Sequence, residues 1–120
     1  MKKFMTSVRY AYSGIRYALA TEINFRIQLY VFMLVLIASV LLGISKIEFL
    51  LILGISAVTF SMELINTAIE RLADKISPEY NEQIGVVKDV MAGAVLVASF
   101  FAIIIGIGIF LEPLLKLLQR

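Results

Sequence analysis

The sequence predicts an all-α membrane protein, a single domain over residues 1–120, in which an N-terminal amphipathic surface helix precedes three transmembrane helices. Two observations carry that expectation. The chain is 61% hydrophobic with a mean hydropathy of +0.96, more apolar surface than a water-soluble core of this size can hide. Two uncharged runs, residues 27–45 and 90–111, match the ~20 positions a helix needs to cross a bilayer, and a third, 49–62, leads into a polar helix. Cysteine and histidine are absent, which removes thiol nucleophiles, disulfides, zinc sites and histidine-based triads. Carboxylates are left as the general bases. The net charge of +2 is spread along the chain, so the basic pI reads as membrane orientation, and nucleic acid is not an expected partner.

Residues 3–22 form the surface helix. Phe4, Val8, Tyr12, Ile15 and Leu19 fall within an arc of about 80° at helical spacing, while Lys3, Arg9, Ser13 and Arg16 take the other faces. A basic amphipathic helix of this kind lies in the headgroup plane, and the charges at Arg9 and Arg16 interrupt the apolar run a signal peptide would need. Span one covers residues 27–45. After a short turn around Gly43, span two with its cytoplasmic extension covers residues 47–76, ended by Ser77-Pro78 because proline cannot continue a helix. Residues 79–89 read as a polar loop, and span three covers residues 88–111, closed by Glu112-Pro113. Lys2, Lys3, Arg9, Arg16, Arg26, Arg71, Lys75 and Lys88 lie on one side of the spans, against Lys46, Lys116 and Arg120 on the other. The positive-inside rule then makes the N-terminus and the acidic loop cytoplasmic, in the compartment that holds ATP.

Span two organises the rest. Ser56, Thr59, Glu63, Asn66, Thr67, Glu70 and Asp74 share an arc of about 100°, with Ile65, Ala68, Ile69 and Leu72 opposite. The uncharged run before Glu63 covers only about 21 Å of a hydrocarbon core about 30 Å thick. Glu63 and Asn66 are thus expected just inside the bilayer edge, with Glu70 and Asp74 a turn or two further into water. Carboxylates inside a membrane usually face a bundle interior and serve a function, whereas the bland alternative is a helix that ends early with solvated acids. In span three, Ala94, Ala98, Ala102 and Gly106 form a small-residue ladder suited to close helix packing. Three spans enclose little interior, so neighbouring protomers are expected to complete any site.

No GxxxxGK[ST] phosphate loop and no GxGxxG is present. What remains is Glu22, Glu63, Glu70, Asp74 and Asp89 with Asn66 and Lys88, placed where water meets hydrocarbon. Hard oxygen ligands suit Mg²⁺ carrying nucleotide phosphates, and a carboxylate at the bilayer edge can accept a proton from a lipid alcohol. A small channel or proton-relay oligomer also places acids in spans. A conduit would continue its polar stripe across the whole span, however, and residues 49–55 offer none.

MELINTAIERLADKISPEY followed by VKDVMAGAVL, with ATEINFR upstream, closely resembles the small bacterial integral-membrane lipid kinases, the diacylglycerol kinase and undecaprenol kinase family. The resemblance runs from about residue 3 to residue 111, and its ExxN[ST]AIE and KD motifs are highly specific. It implies a homotrimer with shared active sites in the bacterial cytoplasmic (inner) membrane, transferring the ATP γ-phosphoryl directly to a membrane lipid alcohol, with undecaprenol slightly ahead of diacylglycerol. It further implies Glu63 as catalytic base with Asn66 orienting the reacting groups beside it. Glu22 and Glu70 would hold Mg²⁺ and through it ATP, and Tyr10, Glu79, Tyr80, Asn81, Lys88 and Asp89 would contact the nucleotide. Arg16 and Arg26 are expected as lipid headgroup partners alongside Glu63. Lys3 stands where some members have arginine, Asn81 where histidine is common, and Gln28 where histidine or glutamate often stands.

Overall fold

A computed structural model describes residues 1–119; Arg120, counted above among the outer positive charges, lies outside the described residues. Within them the chain forms four helices, α1 (Lys2–Thr21), α2 (Ile23–Leu42), α3 (Lys46–Ile76) and α4 (Glu82–Leu118). The last three are long and apolar enough to cross a membrane. At 31 residues α3 is about 46 Å long, more than a hydrocarbon core of about 30 Å requires, so one end must project into water.

Local chemistry sets each boundary. Glu22 alone separates α1 from α2: its backbone is extended (φ −105°, ψ 112°), while its N–H still bonds the Ala18 carbonyl. The Arg26 guanidinium donates to the Leu19 and Ala20 carbonyls at 3.1 and 3.0 Å, satisfying acceptors that the end of α1 leaves free. At the other end of α2, Gly43 adopts the left-handed conformation (φ 63°) in which a side chain is strained, and its N–H turns back to Ser39 and Val40. Ser45 and Glu48 then form a reciprocal capping box at the start of α3, with contacts of 3.2 and 2.7 Å. Ser45→Ala is expected to remove about 1 kcal/mol of stability, read as a lower midpoint in thermal or SDS unfolding from micelles; an unchanged midpoint would show that the cap is dispensable.

The polar stretch expected as a loop through residue 89 is mostly helix. Asn81 caps α4, its Oδ1 accepting from the Gln83 and Ile84 N–H groups at 3.0 and 3.3 Å, and the helix starts at Glu82. The polarity of residues 82–89 marks a solvated helix end, which composition alone does not distinguish from a loop. Nor does Pro113 close the last span, since α4 runs through it to Leu118. Proline removes one backbone donor, a loss tolerated within long apolar helices. An ion pair from Lys116 to Glu112 one turn earlier supports the final turns.

Packing is led by α3 against α4, with α2 against α3 and α1 touching both α2 and α3. Phe60 of α3 receives Phe25 and Phe32 of α2 edge-on, both at 5.5 Å between ring centroids, and Phe25 is buried. Such aromatic pairs add about 0.5–1.5 kcal/mol each beyond burial. Ala18 lets α1 approach closely, and Arg71 of α3 stacks over the Tyr17 ring at 5.0 Å. Ala98 of the small-residue ladder is buried, while Leu34, Val40, Leu96 and Phe100 point outward. Apolar side chains on the outer surface are what a bilayer demands of its spans. The α1–α2 elbow, the end of α3 and the start of α4 therefore gather at one end of the bundle, and the Gly43 turn with the end of α4 at the other.

Candidate active site

The polar stripe of α3 turns inward. Glu63 is 1% exposed and Asn66 9%, and Thr67 is buried too, its hydroxyl donating to the Glu63 carbonyl at 3.0 Å. Helical spacing alone groups these residues; packing of α3 against α2 and α4 decides that the group faces protein. Oε2 of Glu63 and Oδ1 of Asn66 are buried without a hydrogen-bond partner among the described residues. Buried polar atoms left unpaired are costly, and they concentrate where a ligand or reacting group completes them.

Around Glu63 two further carboxylates converge. Glu22, at the α1–α2 elbow, and Glu70, two turns along the same stripe, both lie within electrostatic reach of it. Glu22 arrives from another helix, held by the extended backbone at residue 22 and the Arg26 caps just described. Like charges within electrostatic reach repel one another, and a cation near them would relieve that repulsion. Among the described residues no three acidic side chains form a complete metal cage. By the chemistry of the donor set Glu22 and Glu70 could still hold Mg²⁺, since that ion takes one or two protein carboxylates and fills its remaining positions with water and phosphate oxygens.

Next to these lies a second hollow of about 280 Å³, lined by Asp74, Ser77, Glu79, Tyr80, Asn81, Lys88 and Asp89 among others. The end of α3 and the start of α4 build it, with the tight Ser77 turn, whose hydroxyl donates to the Glu79 carbonyl, in its lining. Lys88 pairs with Asp74, and Glu70 is within electrostatic reach of the same ammonium, so the two groups of residues adjoin. Spacing on one helix puts Asp74 on the stripe of Glu70, but its pairing with Lys88 is tertiary and was not anticipated. Tyr80 is 91% exposed at the rim. The Asn81 oxygen is committed to capping α4, which leaves its amide nitrogen for any ligand. Tyr10 and Arg16 stand exposed on α1, and Arg26 spends part of its guanidinium on the α1 carbonyls.

An apolar groove of about 370 Å³ lies between α2, α3 and α4. Thr59, one turn before Glu63, and Phe60 line it, together with Gln28 of α2 and Ala102 and Gly106 of α4. The ladder of small residues in α4 thus opens space as well as packing. Gln28 brings a further buried and unpartnered oxygen, Oε1, to this groove.

A buried carboxylate one turn from an apolar groove, with further carboxylates and the hollow that holds Lys88 on the polar side, fits one class: helical membrane kinases, phosphotransferases with an alcohol as acceptor. The chain belongs to the prokaryotic diacylglycerol kinase family, whose model matches residues 9–110. It is 38% identical over 115 residues to a diacylglycerol kinase of Synechocystis sp., covering 95% of this chain and 66% of that protein. It is 37% identical over 114 residues to the undecaprenol kinase of Bacillus subtilis, covering 95% of this chain and 93% of the relative. A diacylglycerol kinase of Escherichia coli shares 29% over 102 residues, with 85% and 84% covered.

Proposed function

We propose that the protein transfers the γ-phosphoryl group of ATP directly to the hydroxyl of a membrane lipid at the cytoplasmic face of the bacterial inner membrane, with undecaprenol and diacylglycerol as the candidate acceptors. The observation that carries this reading is the buried, unpartnered Glu63 carboxylate on α3, one turn after Thr59 of the apolar groove and three turns before Asp74 of the polar hollow. A lipid alcohol entering from the groove brings its hydroxyl to Glu63, which accepts the proton as the oxygen attacks phosphorus. A bond from the lipid oxygen to the γ-phosphorus forms, the bond from that phosphorus to the bridging oxygen breaks, and ADP leaves. Glu22 and Glu70 would hold Mg²⁺, which would supply neutralisation of the phosphate charge. Asn66 orients the reacting oxygens beside Glu63, while Lys88, Asp89, Glu79, Tyr80, Asn81 and Tyr10 serve the nucleotide. Arg16 and the free part of Arg26 serve the lipid headgroup region.

Little covalent chemistry is asked of the protein in such a transfer; positioning and charge neutralisation supply most of the rate. Three spans enclose little interior, which suits a homotrimer in which neighbouring protomers complete the site, and the small-residue ladder of α4 would let helices pack closely. The test is transfer of label from γ-labelled ATP to undecaprenol and to diacylglycerol in mixed micelles with Mg²⁺. One labelled phospholipid is expected, lost on chelation. If neither lipid acquires label the reading fails. A proton-relay or channel role has less support, because α3 carries no polar side chain between residues 49 and 55.

A further inference from the structure

We infer that Arg71 is a positioning residue: its guanidinium, stacked on the Tyr17 ring, fastens the last turns of α1 to α3 and so sets where Glu22 stands relative to Glu70. The inference rests on the lipid-kinase reading for its consequence, because Glu22 and Glu70 are the carboxylates proposed to hold Mg²⁺. Little else holds α1 in place. Of its 20 residues only Ala18 is buried, so no broad apolar face anchors the helix to the bundle. Glu22 is the single residue between α1 and α2, and one extended residue leaves the angle between two helices open unless side-chain contacts fix it. The Arg26 guanidinium reaches the Leu19 and Ala20 carbonyls and ties α1 to α2. The stack of Arg71 on Tyr17, 5.0 Å from guanidinium carbon to ring centroid, is the corresponding tie to α3.

Position along the chain turns that tie into a lever on the site. Tyr17 precedes the buried Ala18, and the Ala18 carbonyl accepts the Glu22 N–H at 2.8 Å, so Glu22 moves with the final turn of α1. Arg71 directly follows Glu70, and Tyr17 lies little more than a turn before Glu22. Each partner of the stack therefore sits close to one of the two carboxylates, and losing the stack frees them to separate. Arg71 enters no ion pair among the described residues, so its charge is not committed elsewhere. An arginine and a tyrosine at this depth also serve as interfacial anchors and orientation signals, but those roles do not require one to face the other. Here the cation lies within the roughly 6 Å over which an aromatic face attracts it. The attraction comes from the ring face, so the Tyr17 hydroxyl is not needed for it.

Two readouts test the inference, one of them with no metal present. The chain has no cysteine, so nitroxide labels can be attached at Ser13→Cys on α1 and Lys75→Cys on α3, with labelled chains diluted into unlabelled ones in metal-free micelles. The distance distribution between the labels is expected to be narrow in the otherwise unmodified chain and in Tyr17→Phe, and broadened or displaced in Tyr17→Leu and in Arg71→Gln. In the full chain without labels, Tyr17→Leu and Arg71→Gln are each expected to raise the Mg²⁺ concentration for half-maximal binding of a non-hydrolysable ATP analogue by about two- to fivefold, the scale of one exposed cation–π contact. Excess Mg²⁺ restores binding, and Tyr17→Phe matches the unmodified protein. The double variant is no worse than either single one, because both remove the same contact. Additive losses in the double variant would assign Arg71 to the nucleotide itself and overturn the inference, as would label distances that Tyr17→Leu leaves unchanged. A Mg²⁺ shift with Glu22→Gln but with neither Tyr17→Leu nor Arg71→Gln overturns the positioning role alone. No shift even with Glu22→Gln overturns the metal assignment and the inference with it.

Discussion

Glutamine in place of Glu63 is expected to lower the rate of phosphoryl transfer by about 10²- to 10⁴-fold, the contribution of a positioned general base, while Mg-ATP binds as before. The substitution keeps the shape and the hydrogen-bonding length of the side chain, so packing of α3 against α2 and α4 has no reason to change. What it removes is the site that takes the proton from the lipid hydroxyl. Oε2 of Glu63 has no partner among the described residues, so no internal hydrogen bond is broken and the loss can be assigned to chemistry. The measurement is kcat with saturating lipid, paired with equilibrium binding of a non-hydrolysable ATP analogue. A near-normal rate would eliminate Glu63 as the base, and a lost nucleotide affinity would move it to the binding machinery.

The second large effect belongs to Glu70. Glu70→Gln is expected to weaken Mg-ATP binding by about ten- to a hundredfold, because a neutral amide oxygen is a poor substitute for a carboxylate on a hard divalent ion. Its signature differs from that of Glu63. KM for Mg-ATP and the Mg²⁺ concentration giving half-maximal rate should both rise, and excess Mg²⁺ should recover part of the activity. Glu70 is also within electrostatic reach of Lys88, so loss of its charge reaches the nucleotide hollow by a second route. Unchanged nucleotide affinity would show that the metal, if bound through Glu22, does not need it.

The outcomes for Glu63 and Glu70 can be told apart because two turns of one helix separate the residues, about 10 Å. That separation was legible before any coordinates. Residues 56, 59, 63, 66, 67, 70 and 74 share a face in any α-helix, and an uncharged run of spanning length is nearly bound to be one. The helix ends were harder. Residues 82–89 read as loop and form two turns of α4, begun by the Asn81 cap; Pro113 reads as a stop and is carried inside a helix. In each case a residue type compatible with two local states was settled by whether a continuing helix had something to pack against.

By itself the sequence determined the periodic features: four helical segments, three with spanning character, and an acidic stripe along the third, because backbone geometry converts spacing into faces without help from distant residues. Only the tertiary structure decided that Glu22 comes within electrostatic reach of Glu63 from outside α3, that Lys88 pairs with Asp74, and that Gln28, a groove residue, holds a buried oxygen without a partner. Those meetings depend on how helices cross and on which side chains are small enough to let them approach. Packing of that kind joins residues far apart in the chain, and no period along it records the distance between them.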